Sequence, residues 1–162
     1  MRRAHVMPFG TSVEERGVRF RLWAPDCADV ALHIPGNPDQ PMTRNGDGWA
    51  QAFAPGAGAG TRYGFRVGGR VVPDPAARSQ PDDVHGLSRV VDPLDYDWRD
   101  GDWRGRPWHQ AVLYELHVGT FTPQGTFAAA RGRLHELAEL GITALSLMPV
   151  ADFPGRWGWG YD

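Results

Sequence analysis

The spacing of apolar residues changes once along this chain, and the change limits the folds open to it. Between residues 18 and 72 apolar and polar residues alternate; after residue 111 apolar residues run together and then recur at helical intervals. Val18-Arg-Phe-Arg-Leu-Trp23 puts Val18, Phe20 and Leu22 on one face of a strand. Val30-Ala-Leu-His-Ile34 alternates again, and Pro35-Gly36-Asn37-Pro38 stops it. Asn45-Gly46-Asp47-Gly48 carries an Asn-Gly hairpin signal that calls for positive φ, with Trp49–Phe53 as the return strand. Thr61–Val67, the Gly68-Gly69 turn and Arg70–Val72 form a second tight hairpin. Short strands at this spacing, with no helical period, predict an all-β sandwich.

The last third obeys another rule. Ala111-Val-Leu-Tyr-Glu-Leu-His-Val118 is almost continuously apolar, as expected of a strand covered on both faces. Thr126 suits an N-cap, and Phe127, Ala130, Leu134, Leu137 and Gly141 follow at spacings of 3, 4, 3 and 4, predicting one amphipathic helix that ends at Gly141. Ile142–Met148 is a second covered strand. Strand, helix and strand joined by so long a connection form a βαβ unit, which makes the two strands parallel. Two strands alone do not make a stable parallel sheet, so further strands or another chain must cover them, and open strand edges invite self-association.

Between these regions, from Pro73 to about Gln110, the pattern fails. Pro73-Asp-Pro75, Gln80-Pro-Asp-Asp83 and Val91-Asp-Pro-Leu-Asp95 are extended or turn-forming. Trp98, Trp103 and Trp108 punctuate the stretch and predict a connector packed onto a neighbouring surface. The expected organisation is a sandwich over 1–92, a Trp-rich connector over 93–110 and a βαβ segment over 111–162.

Composition removes several classes of function. All 17 basic residues are Arg, 19 residues are acidic and the net charge is −2, with no basic stripe, so nucleic acid is not an expected partner. Cys27 is the single cysteine, which leaves neither an internal disulfide nor a cysteine-rich zinc module. No window holds 18 consecutive apolar residues, so no membrane span is expected. The opening Met1-Arg-Arg-Ala-His-Val-Met-Pro8 has no apolar core of a signal peptide, and the expected setting is the cytoplasm.

Most motif-like groupings read as ordinary structure. Gly56-Ala-Gly-Ala-Gly60 precedes a strand and lacks a phosphate-loop lysine, so it is an inter-strand turn. His135-Glu136 begins like a zinc-protease helix, but Glu139 stands where the second His is needed. His117, near the end of the first covered strand, reads as a satisfied polar group rather than a ligand. Asp82-Asp83 and Asp95 with Asp97 read as solvated turn carboxylates. Cys27 has no evident base, and no G-x-S-x-G elbow occurs. No metal or cofactor site is expected. The stretch that departs from this background is Phe153 to Asp162, where Phe153, Trp157, Trp159 and Tyr161 stand among glycines beside Asp and Arg. Flat aromatic faces with nearby hydrogen-bonding groups suit sugars, and equally suit a loop packed against further domains.

Several segments carry a resemblance to a known family. Glu115-Leu-His-Val-Gly-Thr-Phe-Thr-Pro123, Leu140-Gly-Ile-Thr-Ala-Leu145, Leu147-Met-Pro-Val-Ala-Asp-Phe-Pro-Gly155 and Trp159-Gly-Tyr-Asp162 resemble the malto-oligosyltrehalose trehalohydrolases of the α-amylase family of glycoside hydrolases. Phe20–Asp26, Arg62–Arg66, Pro73–Pro81 and Val84-His-Gly86 agree, in order. The resemblance implies an immunoglobulin-like β-sandwich, similar to the modules that precede glycogen branching enzymes, followed by the first βαβ portion of a (β/α)₈ barrel. It implies a retaining glycosidase acting on α-glucan, namely maltooligosyl trehalose, with glycogen branching or debranching enzymes and a non-catalytic glucan-binding module as alternatives.

The same resemblance implies that the catalytic Asp, Glu and Asp follow the fourth, fifth and seventh barrel strands, beyond Asp162. Retaining hydrolysis needs two carboxyl groups about 5 Å apart, and none of Glu115, Asp152 and Asp162 matches a catalytic position, so the chain by itself is expected to be inactive. Tyr161 is similar to the tyrosine that stacks beneath the sugar at the cleavage subsite, with Asp162 and Trp159 as neighbours. Ser146 stands where the family usually has Glu. Trp49 and Tyr63 are the candidates for glucan contact on the sandwich, against a purely buttressing role.

Overall fold

The computed structural model describes residues 9–155. The chain divides into two compact units, Met1–Gly101 and Asp102–Asp162.

The first unit is a β-sandwich. One sheet comprises β1 (Gly10–Glu14), β2 (Gly17–Trp23), β5 (Thr43–Arg44) and β6 (Trp49–Pro55), antiparallel in the order β1-β2-β6-β5. The other runs β4-β3-β7-β8, from β4 (Gln40–Pro41), β3 (Val30–His33), β7 (Arg62–Val67) and β8 (Arg70–Val72), and β9 (Ser88–Arg89) pairs with the start of β7. The alternation places Val18, Phe20 and Leu22 inside, as expected, all buried. Their partners across the ladder are Ala54, Ala52 and Ala50, so each large side chain of β2 lies beside a small one of β6. The vacated volume holds Tyr63 and Phe65 of β7, which meet edge-on, with Phe20–Tyr63 centroids 4.8 Å apart and Tyr63–Phe65 5.9 Å apart. Burying an aromatic of this size contributes about 2–3 kcal/mol. Leu32, Val30, Met42 and Val90 complete the same cluster.

Turn chemistry departs from expectation at one hairpin. Gly68 and Gly69 take φ of +56° and +78°, as the predicted tight turn demands. The β5–β6 turn instead carries its positive φ at Gly48 (+83°), not at Gly46. The cause is the Asn45 side chain, whose Oδ1 accepts from the amides of Asp47 (3.1 Å) and Trp49 (3.0 Å) and so moves the sharp bend two residues along.

Residues 73–90, which show no pattern in sequence, are ordered by buried polar groups. The Tyr63 hydroxyl donates to Asp74 Oδ2 (2.6 Å), the Asp74 amide donates to Ser88 Oγ (2.9 Å) and the Ala76 amide donates to Asp74 Oδ1 (2.8 Å). Val90 then inserts into the core, exchanging backbone bonds with Gly60 and Thr61. Trp98, Trp103 and Trp108 are all largely exposed within this chain. Among the described residues, Trp98 meets the Tyr96 ring, with centroids 4.8 Å apart.

The second unit has β10 (Leu113–Leu116) and β11 (Ala144–Leu147) paired in parallel, Leu113 to Ala144 through Leu116 to Leu147. The first strand is shorter than expected. His117 leaves it to become the N-cap of α1 (Val118–Phe121). Neither strand is covered on both faces: Leu113 is 55% exposed and Leu145 and Leu147 are also open, because no third strand flanks the pair among the described residues.

The single helix expected from Phe127 to Gly141 is two, α2 (Phe127–Gly132) and α3 (Leu134–Glu139), interrupted at Arg133. Gly132 weakens the helix there, and Arg133 turns to pair with Glu136 at 2.6 Å. Consequently Ala130 and Leu137 are buried while Phe127 and Leu134 are exposed. Both ends follow expectation. Thr126 Oγ1 accepts from the Ala129 amide (3.2 Å), and Gly141, at φ +89°, closes α3 with amide bonds Gly141→Ala138 and Ile142→Leu137.

Candidate functional site

The substrate-binding residues expected from sequence, Tyr161, Asp162 and Trp159, lie outside the described residues. The loop that carries them leaves the carboxyl end of β11, and His117 leaves the carboxyl end of its parallel partner β10. In parallel α/β folds that end is where ligands bind. The Met148 amide donates to the Leu116 carbonyl (3.0 Å), extending the ladder to the point where both chains turn away.

On the sandwich, the two aromatic candidates separate. Tyr63 is fully buried in the core and cannot touch a ligand, which corrects its nomination. Trp49 is half-buried on the outward side of β6, directly opposite Trp23 of β2. Strand alternation puts Arg19, Arg21 and Trp23 of β2 and Trp49, Gln51 and Phe53 of β6 on this one outward face. Trp23 is 59% exposed, and its indole Nε1 donates to the Asp47 carbonyl (3.3 Å). Arg21 donates to Ser12 Oγ (3.0 Å); Arg19 pairs with Glu14 (2.7 Å) and lies over the Phe53 ring, 5.4 Å from its centroid. At this end a shallow cavity of about 320 Å³ is lined by Glu14, Glu15, Arg16, Arg19 and Phe53. Trp23 was legible as an alternating strand residue, but its exposure was not, because the sequence does not say which strand ends the sheet leaves open.

Perturbed ionisable groups serve structure. Burial raises the Asp74 carboxyl, with Tyr63, Ala76 and Arg78 opposing it, and burial beside Asp74 raises the Tyr63 phenol. Asp39 is held below the usual carboxylate range by its bond to His33 Nδ1 (2.7 Å) and by Arg66. Among the described residues no three His, Cys, Asp or Glu side chains gather as a metal site, and no helix is long and apolar enough to cross a membrane. Asp82 pairs with Arg62, and Asp83 Oδ1 accepts from the His85 amide (2.7 Å), so neither acid is simply solvated.

Comparison with known proteins places these two units in context. Residues 8–78 match the family of carbohydrate-binding module 48 (isoamylase N-terminal domain). Over 146 residues the chain is 48% identical to a malto-oligosyltrehalose trehalohydrolase of Deinococcus radiodurans, covering 90% of this chain and 24% of that protein. It is 33% identical over 163 residues to a 1,4-alpha-glucan branching enzyme of Streptomyces coelicolor, covering 90% of this chain and 22% of the other. Among solved structures, a putative alpha amylase from Salmonella typhimurium is 51% identical, with a TM-score of 0.90 over 98% of this chain and 27% of that one. The chain therefore spans about a quarter of the length of the curated relatives it matches, and its similarity to the trehalohydrolases runs through both units.

Proposed function

We propose that this chain is the front of a malto-oligosyltrehalose trehalohydrolase, in which an immunoglobulin-like sandwich leads into the first strand–helix–strand unit of a (β/α)₈ barrel. The observation that carries the reading is the parallel β10–β11 ladder with its leucines left open. Parallel sheets occur with both faces covered, and Leu113, Leu145 and Leu147 present apolar surface that further barrel strands and helices would fill. The similarity to trehalohydrolases through both units supports the same conclusion.

In this reading the protein releases trehalose from maltooligosyl trehalose by cleaving the α-1,4 bond next to the terminal trehalose unit. Such a cleavage needs a nucleophilic carboxylate and an acid/base carboxyl about 5 Å apart. Neither is assigned to this chain, whose share is the sandwich, the barrel's first strands and the sugar-stacking Tyr161 with Asp162 and Trp159 beside it. The branching-enzyme alternative shares the module and the sheet, and differs in the product formed.

The test is a chimaera in which this chain replaces the matched region of the Deinococcus radiodurans enzyme. The chimaera is expected to release trehalose from maltooligosyl trehalose, while the chain alone releases none. Tyr161→Ala in the chimaera is expected to lower kcat/KM by about tenfold or more, equivalent to about 1.4 kcal/mol or more. A folded chimaera that forms α-1,6 branches and liberates no trehalose overturns the reading in favour of the branching enzyme.

A further inference from the structure

We propose that Asn45 and Gly46, in the β5–β6 turn, form a self-modifying site. In the folded chain the Gly46 nitrogen attacks the Asn45 side-chain amide, and the cyclic imide so formed opens to an aspartyl or isoaspartyl residue. This chemistry is independent of the enzymatic reading above.

A main-chain nitrogen must approach the Cγ of the side chain before it, and a Cβ on its own residue obstructs that approach. Gly46 carries none, and nothing stands within 4 Å of the place where one would be. Its amide is also loose. Among the described residues no backbone hydrogen bond takes it up, whereas the Asn45 amide is tied to the Trp49 carbonyl (2.9 Å). The base of the turn is therefore fixed while the attacking nitrogen is not. Asn45 is exposed, so water reaches the amide and ammonia can leave it. The chain's other asparagine, Asn37, precedes Pro38, whose nitrogen has no proton to lose, and that pair is barred.

The turn also supplies electrostatic help. Asn45 Oδ1 accepts from the amides of Asp47 (3.1 Å) and Trp49 (3.0 Å). Attack at Cγ puts negative charge on that oxygen, and a pair of fixed N–H donors is the arrangement that stabilises such an oxyanion.

The atoms balance without any oxidant or reductant. The Gly46 N–H proton passes to hydroxide, the bond from the Gly46 nitrogen to Cγ forms, and the bond from Cγ to Nδ2 breaks as Nδ2 takes up a proton and leaves as ammonia. Water then adds to one of the two imide carbonyls. Opening at the side-chain carbonyl restores the ordinary main chain with an aspartyl residue at 45, whose carboxylate can still accept from the two amides. Opening at the main-chain carbonyl routes the chain through the side chain, adds a methylene to the backbone and dismantles the turn that Oδ1 holds. The Asp47 carbonyl, which accepts from the Trp23 indole Nε1 (3.3 Å), lies within that turn, so the isoaspartyl form also loosens Trp23. Either product adds a negative charge beside Asp47.

The experiment incubates the full chain, folded, at mildly alkaline pH. Released ammonia, intact mass and methylation by an isoaspartyl methyltransferase follow the reaction, and digestion with a protease that leaves the Arg44–Asn45 bond uncut locates it. Loss of one ammonia and gain of one water at residue 45 are expected, at a rate that rises with pH, and the Trp23 indole N–H signal is expected to shift as isoaspartyl accumulates. Gly46→Ala, which the open space admits, is expected to fold as stably as wild type and to convert about tenfold more slowly. Asn45→Asp is expected to release no ammonia. A folded chain that stays unconverted while the same chain unfolded in urea reacts overturns the proposal, because the turn then blocks the attack. Isoaspartyl confined to Asp47, with Asn45 intact, overturns it as well, as does a Gly46→Ala chain that converts at the wild-type rate.

Discussion

The Tyr63 hydroxyl donates to Asp74 Oδ2 across 2.6 Å, and neither side chain is accessible to solvent. This bond joins the central strand of one sheet to a segment without regular structure, and so makes residues beyond β8 part of the sandwich. Tyr63→Phe keeps the ring packing and withdraws the donor. It is expected to destabilise the unit by about 1–3 kcal/mol, the usual effect of leaving a buried acceptor short of a partner. Denaturant unfolding of the two chains checks this.

Asp74 also sets a pH dependence. Burial holds its folded carboxyl above the ordinary 3.8, so the folded state binds the proton more tightly than the unfolded state does. The resulting stability is fully present below 3.8 and is lost as pH rises through the raised folded value. Relative to Asp74→Asn, which cannot titrate, the wild-type chain is expected to gain in melting temperature as pH falls from neutrality toward 3.8. A difference that stays flat with pH contradicts the assignment.

Asp39 has the opposite sign. Its bonds to His33 and Arg66 hold the folded carboxyl below 3.8, so its contribution is present above that value and is lost as pH falls through the lower folded one. Asp39→Asn is expected to lower the melting temperature at neutral pH and to match wild type in strong acid. Melting curves at both ends of the range test it.

Two glycine substitutions should behave differently for reasons visible in the backbone. A Cβ on Gly17 would lie 2.3 Å from the Ala54 carbonyl oxygen and 2.9 Å from Phe53 Cζ, and Gly17→Ala is expected to cost about 1–3 kcal/mol. Gly46 has open space around it and no positive φ, so Gly46→Ala is expected to be neutral or slightly stabilising. Thermal melts of both chains decide the matter.

The open leucines of β10 and β11 predict association. The isolated chain is expected to form higher species with rising concentration, and Leu113→Glu to return it toward the monomer, as read by sizing chromatography with light scattering. A wild-type chain that stays monomeric throughout contradicts this.

The sandwich core was legible because Val18, Phe20 and Leu22 alternate with arginines, and burial on one face is what such alternation encodes. β1 escaped detection because its sequence, Gly10-Thr-Ser-Val-Glu14, has one large apolar residue; an edge strand paired on one side can be held by its backbone. Residues 73–90 escaped because side-chain hydrogen bonds order them, and those have no period. The helix expected as one piece broke at Arg133, where a local glycine and an ion pair outweighed an apolar spacing that stayed intact. Of the site, Trp159, Tyr161 and Asp162 lie outside the described residues, and of the two aromatics nominated on the sandwich, Trp49 faces outward while Tyr63 is buried. Composition names an aromatic residue without saying which side of the sheet it faces.

The span recognisable as a carbohydrate-binding module stops at residue 78, in the middle of the strap that runs from Asp74 to Val90. A module excised at that point would keep the Asp74 carboxylate while losing Ser88, which holds the Asp74 amide, and Val90, which plugs the core. The smallest graftable version of this domain therefore reaches past Val90, and donors trimmed to the similarity boundary would be expected to misbehave whatever they are fused to.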